Sequence, residues 1–162
     1  MLPGPKETKA AGALLGSALK MESVSAFLIT LEGPLGVGKT TLCQGLAEAM
    51  GAEPKEIVSP TFTLCNVYQT EKPLFHLDLY RLNQETAAEE FVGSGLEECL
   101  DGFCLVEWPE RLNNEFWPTE RLELIFDING KNRILSACGQ SPVATRIWQA
   151  TVKTVGKELC PG

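Results

Sequence analysis

The chain has 162 residues, 44% of them apolar and 22% charged. That is enough for one domain with its own core and too little for two. Its 21 acidic residues outnumber 14 scattered basic ones, giving a formal charge of −7, whereas a protein that grips DNA or RNA by itself needs clustered Lys and Arg.

An acidic surface favours solubility or a basic protein partner instead. No run approaches the ~20 apolar residues of a membrane-spanning helix. The opening MLPGPKETKAAGALLG interleaves its apolar residues with Gly and Lys, which makes a poor secretory signal. The cysteines, Cys43, Cys65, Cys99, Cys104, Cys138 and Cys160, form no C-x-x-C pair and have one histidine for company. Most lie in apolar runs, so buried, reduced thiols in a cytoplasmic protein are expected.

In chain order, residues 1–6 carry Pro3, Gly4 and Pro5 and read as a flexible end. From Glu7 to Met21, the residues Ala11, Leu14, Leu15, Ala18 and Leu19 recur at helical spacing. Ala26–Glu32 (AFLITLE) is a buried-strand pattern. After a glycine-rich loop, Leu42, Cys43, Leu46, Ala49 and Met50 mark one face of a helix that stops at Gly51.

FTLCNVYQ and LFHLDLY read as two strands of a hairpin joined at TEKP. Residues 84–100 read as two short helices, interrupted by Gly-Ser-Gly, and FCLVEW as another buried strand. RLELIFDI and RILSAC flank Asn129-Gly130, a strong hairpin signal. Ser141-Pro142 suits N-cap and N1 of a last helix, whose stripe Ala144, Trp148, Val152, Val155 and Leu159 either packs on the sheet or meets a partner. The expected organisation is a main domain over 7–140 with the helix and tail of 141–162 packed on it.

Chemistry begins at Gly33-Pro34-Leu35-Gly36-Val37-Gly38-Lys39-Thr40, which fits G-x-x-x-x-G-K-[ST] at every fixed position. The glycines let backbone N–H groups of Gly33, Gly36, Val37, Gly38, Lys39, Thr40 and Thr41 point at phosphate oxygens, at the positive end of the following helix. Lys39 suits the outer phosphates, and the Thr40 hydroxyl suits Mg²⁺.

Such a loop needs an acid beside the metal, at the end of a neighbouring apolar strand. Glu107 follows Phe103–Val106 directly and fills that role. Asp78, in HLDLYR, shares a strand face with Leu74, His76 and Tyr80. That face either meets solvent, with His76 solvated, or makes Asp78 a second acid at the site. Ser59–Thr63 (SPTFT) is either a plain turn or a switch segment that senses the outer phosphate through Thr61. Asp127-Ile-Asn-Gly130 fits D-x-x-G of GTPases, but no Asn-Lys-x-Asp accompanies it, so it reads as turn chemistry.

LEGPLGVGKTTL, SPTFTL, HLDLYRL, GLEECL and LVEWPER occur in the order and approximate spacing of the TsaE (YjeE) family, which the chain resembles over residues 7 to 138. The stretch from Leu82 to Gly95 is slightly long for the family, and the helix after Ser141 lies beyond its motifs. The resemblance implies an α/β fold: a single P-loop NTPase-like domain with a central mixed β-sheet flanked by helices. It also implies a slow Mg²⁺-dependent ATPase of the tRNA threonylcarbamoyladenosine pathway, with ATP and Mg²⁺ as ligands. The implied partners are TsaD and TsaB, which modify adenosine 37 of tRNAs reading codons that begin with A. Contact with tRNA would be indirect, and no DNA or membrane is involved.

By the same resemblance, Thr40 and Glu107 hold Mg²⁺, and Lys39, Asp78 and Glu107 are catalytic. Thr61 and Trp108 match switch positions, and Glu7 and Thr8 match the adenine side. Two other readings of the residues stay open: a small-molecule or nucleoside kinase, and a nucleotide-gated binding module. A kinase usually carries an arginine-rich lid, whereas Arg81, Arg111, Arg121, Arg133 and Arg146 do not cluster in the sequence.

Overall fold

A computed structural model describes residues 1–58, 60 and 63–158, with the main chain alone at 155–158. Thr61 and Leu159, named above, therefore lie outside the described residues and side chains, as do Cys160 and the side chain of Val155. The sheet is built from β1 (Phe27–Glu32), β2 (Cys65–Tyr68), β3 (Leu74–Asp78), β4 (Phe103–Glu107), β5 (Arg121–Asn129) and β6 (Asn132–Gly139) in the order β2-β3-β4-β1-β5-β6. The four inner strands are parallel, and β2 and β6 run antiparallel to β3 and β5 at the edges. This is the mixed sheet of a P-loop NTPase-like α/β fold.

Alternation sends the two faces of the sheet into two cores. Phe27, Ile29 and Leu31 of β1 face the core shared with α1 (Pro5–Lys20), α2 (Lys39–Met50) and α4 (Pro142–Glu158). Leu28, Leu77 and Val106 face a second core under α3 (Ala87–Gly93), where Phe91 meets Phe116 and Trp117 edge-on at 6.2 and 5.8 Å. The expected pair of short helices is α3 and a 3-10 helix over Leu96–Asp101.

Glycines set the close approach of α1 to α2. A Cβ on Gly12 would stand 2.0 Å from Leu42 O, and one on Gly45 2.0 Å from Lys9 O. No side chain fits there, so backbone meets backbone and α1 is pressed against the helix that carries Lys39 and Thr40.

Three expectations are corrected by the packing. Residues 1–6 are not a loose end: Leu2 is buried and exchanges main-chain hydrogen bonds with Arg133 at 2.7 and 2.9 Å, and the helix starts at Pro5. The C-terminal helix buries Ala144, Ile147 and Thr151, with Trp148 packed beside them, whereas Val152 is exposed. The 4-4-3-4 spacing drifts off the contact line because the buried positions follow i, i+3, i+7. Cysteines 43, 65, 99, 104 and 138 are free, but Cys138 is exposed on the edge strand β6, where alternate residues face solvent. Among the described residues no helix is long and apolar enough to cross a membrane.

Candidate functional site

The parallel strands deliver the predicted loop and both acids to one edge of the sheet. β1 runs directly into the glycine loop, and α2 begins at Lys39. Asp78 and Glu107, the last residues of β3 and β4, are direct partners across the parallel ladder, and Leu31 of β1 is the next partner of Glu107. Ligand sites of open α/β sheets lie at this carboxyl edge. A cavity of about 340 Å³ opens there, lined among others by Gly36, Lys39, Thr40, Asp78, Glu107 and Trp108.

Gly36 and Gly38 have φ of 74° and 119°, a region closed to most L-residues, so the loop can turn its N–H groups inward. The loop is braced from behind. Arg133 Nε donates to Val37 O at 2.6 Å, and Thr8 Cγ2 stands 3.2 Å from where a Gly38 Cβ would be. Thr8 thus meets the loop through its methyl, while its hydroxyl donates to Gly4 O at 2.9 Å.

Lys39 Nζ donates to Gly33 O and Pro34 O at 2.6 and 3.0 Å and stands 3.7 Å above the Trp108 ring centroid. Burial pulls the Lys39 ammonium below its ordinary range, against the field of Glu107, Glu110 and Asp78, which acts to raise it. Thr40 Oγ1 donates to the Glu107 carboxylate, 2.9 Å from Oε1 and 3.1 Å from Oε2. A hydroxyl and a carboxylate beside a lysine form a hard, all-oxygen donor pair suited to Mg²⁺. Asp78 is buried, and its Oδ1 accepts the Tyr80 N–H at 3.1 Å.

Trp108 leaves β4 with φ 63°, although it is not glycine and precedes Pro109. Its N–H donates to Leu31 O at 3.2 Å, and its ring packs on Tyr80 at 5.0 Å and under Lys39. A left-handed tryptophan costs roughly 1–2 kcal/mol and needs such neighbours to hold it.

Sequence reasoning placed His76 on the Asp78 face and left solvent open as one of its possible surroundings. It is instead wholly buried, with Nε2 2.9 Å from Glu107 Oε1 and Nδ1 2.9 Å from the Tyr68 hydroxyl. Burial raises the Tyr68 hydroxyl to about 12, so it is a neutral donor at physiological pH. Cys43 Sγ also lies near, its donor atom and those of His76 and Glu107 all within 4.8 Å of one another. Burial pushes the Cys43 thiol well up, so it stays protonated beneath the site. Tyr68 and Arg133 escaped the sequence reading as site residues, and His76 was reached only through strand alternation.

Sequence comparison agrees with this arrangement. The model of the family described as "Threonylcarbamoyl adenosine biosynthesis protein TsaE" matches residues 2–135. The tRNA threonylcarbamoyladenosine biosynthesis protein TsaE of Treponema pallidum is 39% identical over 112 residues, 68% of this chain and 77% of that protein. The TsaE protein of Bacillus subtilis is 40% identical over 124 residues, 75% of this chain and 72% of that one. The crystal structure of Bacillus subtilis YdiB superposes with a TM-score of 0.69 and 29% identity, covering 93% of this chain and 90% of YdiB. The match over residues 2–135, with relatives 39% and 40% identical, places the chain in the TsaE family.

Proposed function

We propose that the protein is a Mg²⁺-dependent ATPase of tRNA threonylcarbamoyladenosine biosynthesis. It acts with TsaB and TsaD in the cytoplasm and reaches adenosine 37 of the tRNA only through that complex. Family membership supports the pathway. The observation that carries the chemistry is the Thr40–Glu107 contact of 2.9 Å beside Lys39, at the mouth of the glycine loop.

ATP is the substrate. The N–H groups of Gly36 to Thr41 bind its phosphates at the start of α2. Lys39 exchanges the carbonyls of Gly33 and Pro34 for outer-phosphate oxygens, which satisfies its buried charge better than neutral acceptors do. Thr40 Oγ1 and the Glu107 carboxylate hold Mg²⁺. When bound, Mg²⁺ supplies charge neutralisation on the transferred phosphoryl group. Asp78, one strand from Glu107, orients the attacking water. Water adds to the γ-phosphorus as the bond to the ADP oxygen breaks, giving ADP, inorganic phosphate and a proton. Little covalent work falls to the protein, so positioning and charge dominate.

Three of the five arginines that a kinase lid would draw on are engaged by protein groups. Arg121 is spent on Pro118 O, Asn114 and Glu123, Arg133 on Val37 O, and Arg146 on Glu22. Purified protein incubated with TsaB, TsaD and γ-labelled ATP tests the reading. Label released as free phosphate, together with threonylcarbamoyladenosine formation that requires this chain, is the expected result. Label on a small-molecule acceptor, or full tRNA modification without hydrolysis, overturns it.

A further inference from the structure

A continuous hydrogen-bonded file of four side chains leads from the P-loop helix to the main chain ahead of Ser59. Thr40 Oγ1 donates to Glu107 Oε1 at 2.9 Å, and His76 Nε2 meets the same oxygen at 2.9 Å. His76 Nδ1 meets the Tyr68 hydroxyl at 2.9 Å, and that hydroxyl reaches Val58 O at 3.0 Å. Glu107, His76 and Tyr68 are 3%, 0% and 2% exposed, so the two central links lie out of water, while Thr40 is half-buried at the cavity and Val58 is exposed. Links of this kind polarise one another in a low-dielectric interior.

A second connection reaches the other end of the same segment. Leu64, left-handed at φ 62°, takes Pro60 O at 2.8 Å through its N–H, while its carbonyl accepts the Asp78 N–H at 3.0 Å. Val58 is thus tied through Tyr68 and His76 to Glu107, and Leu64 directly to the main chain of Asp78.

A buried histidine needs only two satisfied nitrogens, and nearby carbonyls usually serve. Here one nitrogen is spent on the carboxylate beside Thr40, and the other on a hydroxyl that grips the main chain. With the Glu107 carboxylate as the acceptor, Nε2 donates, and the Nε2–H tautomer presents Nδ1 as an acceptor. Tyr68 has one hydroxyl proton and two acceptors, His76 Nδ1 at 2.9 Å and Val58 O at 3.0 Å. A full negative charge on Glu107 strengthens Nδ1 as an acceptor and draws the proton to it. Neutralising that charge weakens Nδ1 and leaves the proton to Val58 O, which Asn66 Nδ2 also holds at 3.0 Å.

We propose that His76 and Tyr68 are positioning residues that orient the Glu107 carboxylate and report its charge to the backbone at Val58. Cation arrival at Thr40 and Glu107 then tightens the hydrogen bond from Tyr68 to Val58 O. This rests on the reading of Thr40 and Glu107 as the Mg²⁺·ATP site, and its test separates the two.

His76 is the only histidine in the chain, so its imidazole gives one unambiguous set of NMR signals. Magnesium with a non-hydrolysable ATP analogue is expected to shift the His76 ring nitrogens and the Val58 carbonyl together. In Tyr68→Phe, which keeps the ring and removes only the hydroxyl, the Val58 response is lost while the loop amide of Gly38 still shifts. Val58 responding equally in Tyr68→Phe, or His76 signals unmoved while Gly38 shifts, overturns the proposal.

Thr40→Val without any nucleotide is the independent arm, since loss of that donor alone is expected to move both His76 and Val58 signals. No movement there also overturns the relay. A silent Gly38 amide beside a responsive Thr40→Val would instead condemn the nucleotide-site reading and leave the relay standing. In turnover, Tyr68→Phe is expected to lower kcat about 10-fold while changing KM for ATP little, in the range for residues that orient a ligand-bearing group.

Discussion

Lys39 Nζ stands 3.7 Å above the Trp108 ring while donating to the carbonyls of Gly33 and Pro34. The lysine proposed to meet phosphate is thus held inside its own loop, against a tryptophan at φ 63°. Drawing Lys39 onto phosphate oxygens removes a cation from the indole face, an interaction worth about 0.5–2 kcal/mol. Tryptophan fluorescence is therefore expected to change as Mg²⁺·ATP is added, and Trp108→Phe is expected to abolish the change. Trp117 and Trp148 pack in the two cores, and Trp108 is the ring that Lys39 covers.

Glu107→Gln preserves size and still accepts from His76, but loses the charge that faces Thr40. The concentration of Mg²⁺ needed for half-maximal ATP hydrolysis is expected to rise by about 10- to 100-fold. Titrating Mg²⁺ at fixed ATP checks this. An unchanged midpoint would remove Glu107 from the metal site.

Packing of α1 on α2 makes a stability prediction independent of function. Gly12→Ala and Gly45→Ala each put a methyl 2.0 Å from a carbonyl oxygen, so the helices must separate. Each is expected to cost about 1–3 kcal/mol in chemical denaturation, the range for overpacking. Gly93→Ala, at the end of α3 with nothing within 4 Å, is expected to be neutral or to stabilise by about 0.4–1 kcal/mol.

Glu32 ends β1 beside Glu110 and Glu123, and burial, then those two charges, raises its carboxyl above 4.5. The folded state therefore binds this proton more readily than the unfolded state. Ionised Glu32 costs stability above its raised range, and the cost disappears as pH falls through that range toward 4.5. Glu32→Gln is expected to melt at a higher temperature than the natural chain at pH 7, with the gap closing as pH falls toward the ordinary carboxylate range. Thermal melts across that range check the sign.

The glycine loop and both acids were legible because each lies at the end of an apolar run, where a parallel strand must emerge at the sheet edge. Helix α2, the β5–β6 hairpin and the Ser141-Pro142 start carried their own local signals. In the structure Ser141 Oγ accepts the Ala144 N–H at 3.2 Å, and Asn129 pairs with Asn132 across Gly130 and Lys131. Local pattern says nothing about what covers a strand, which is why the surroundings of His76 stayed open. It is β2, folded back beside β3 so that Asn66 faces His76, that supplies Tyr68. Leu2 was read as loose for the same reason, since its partner Arg133 lies on β6 at the far end of the chain. Trp108 was placed at the site by resemblance, but its left-handed backbone follows from Lys39, Leu31 and Tyr80 closing around it.

Steady-state release of inorganic phosphate from Mg²⁺·ATP, with TsaB and TsaD present, tests the central claim most directly when Lys39→Ala is compared with the natural chain. The expected result is magnesium-dependent release by the natural chain and its loss in Lys39→Ala, with both proteins melting alike. Phosphate release by Lys39→Ala at the natural rate would contradict it.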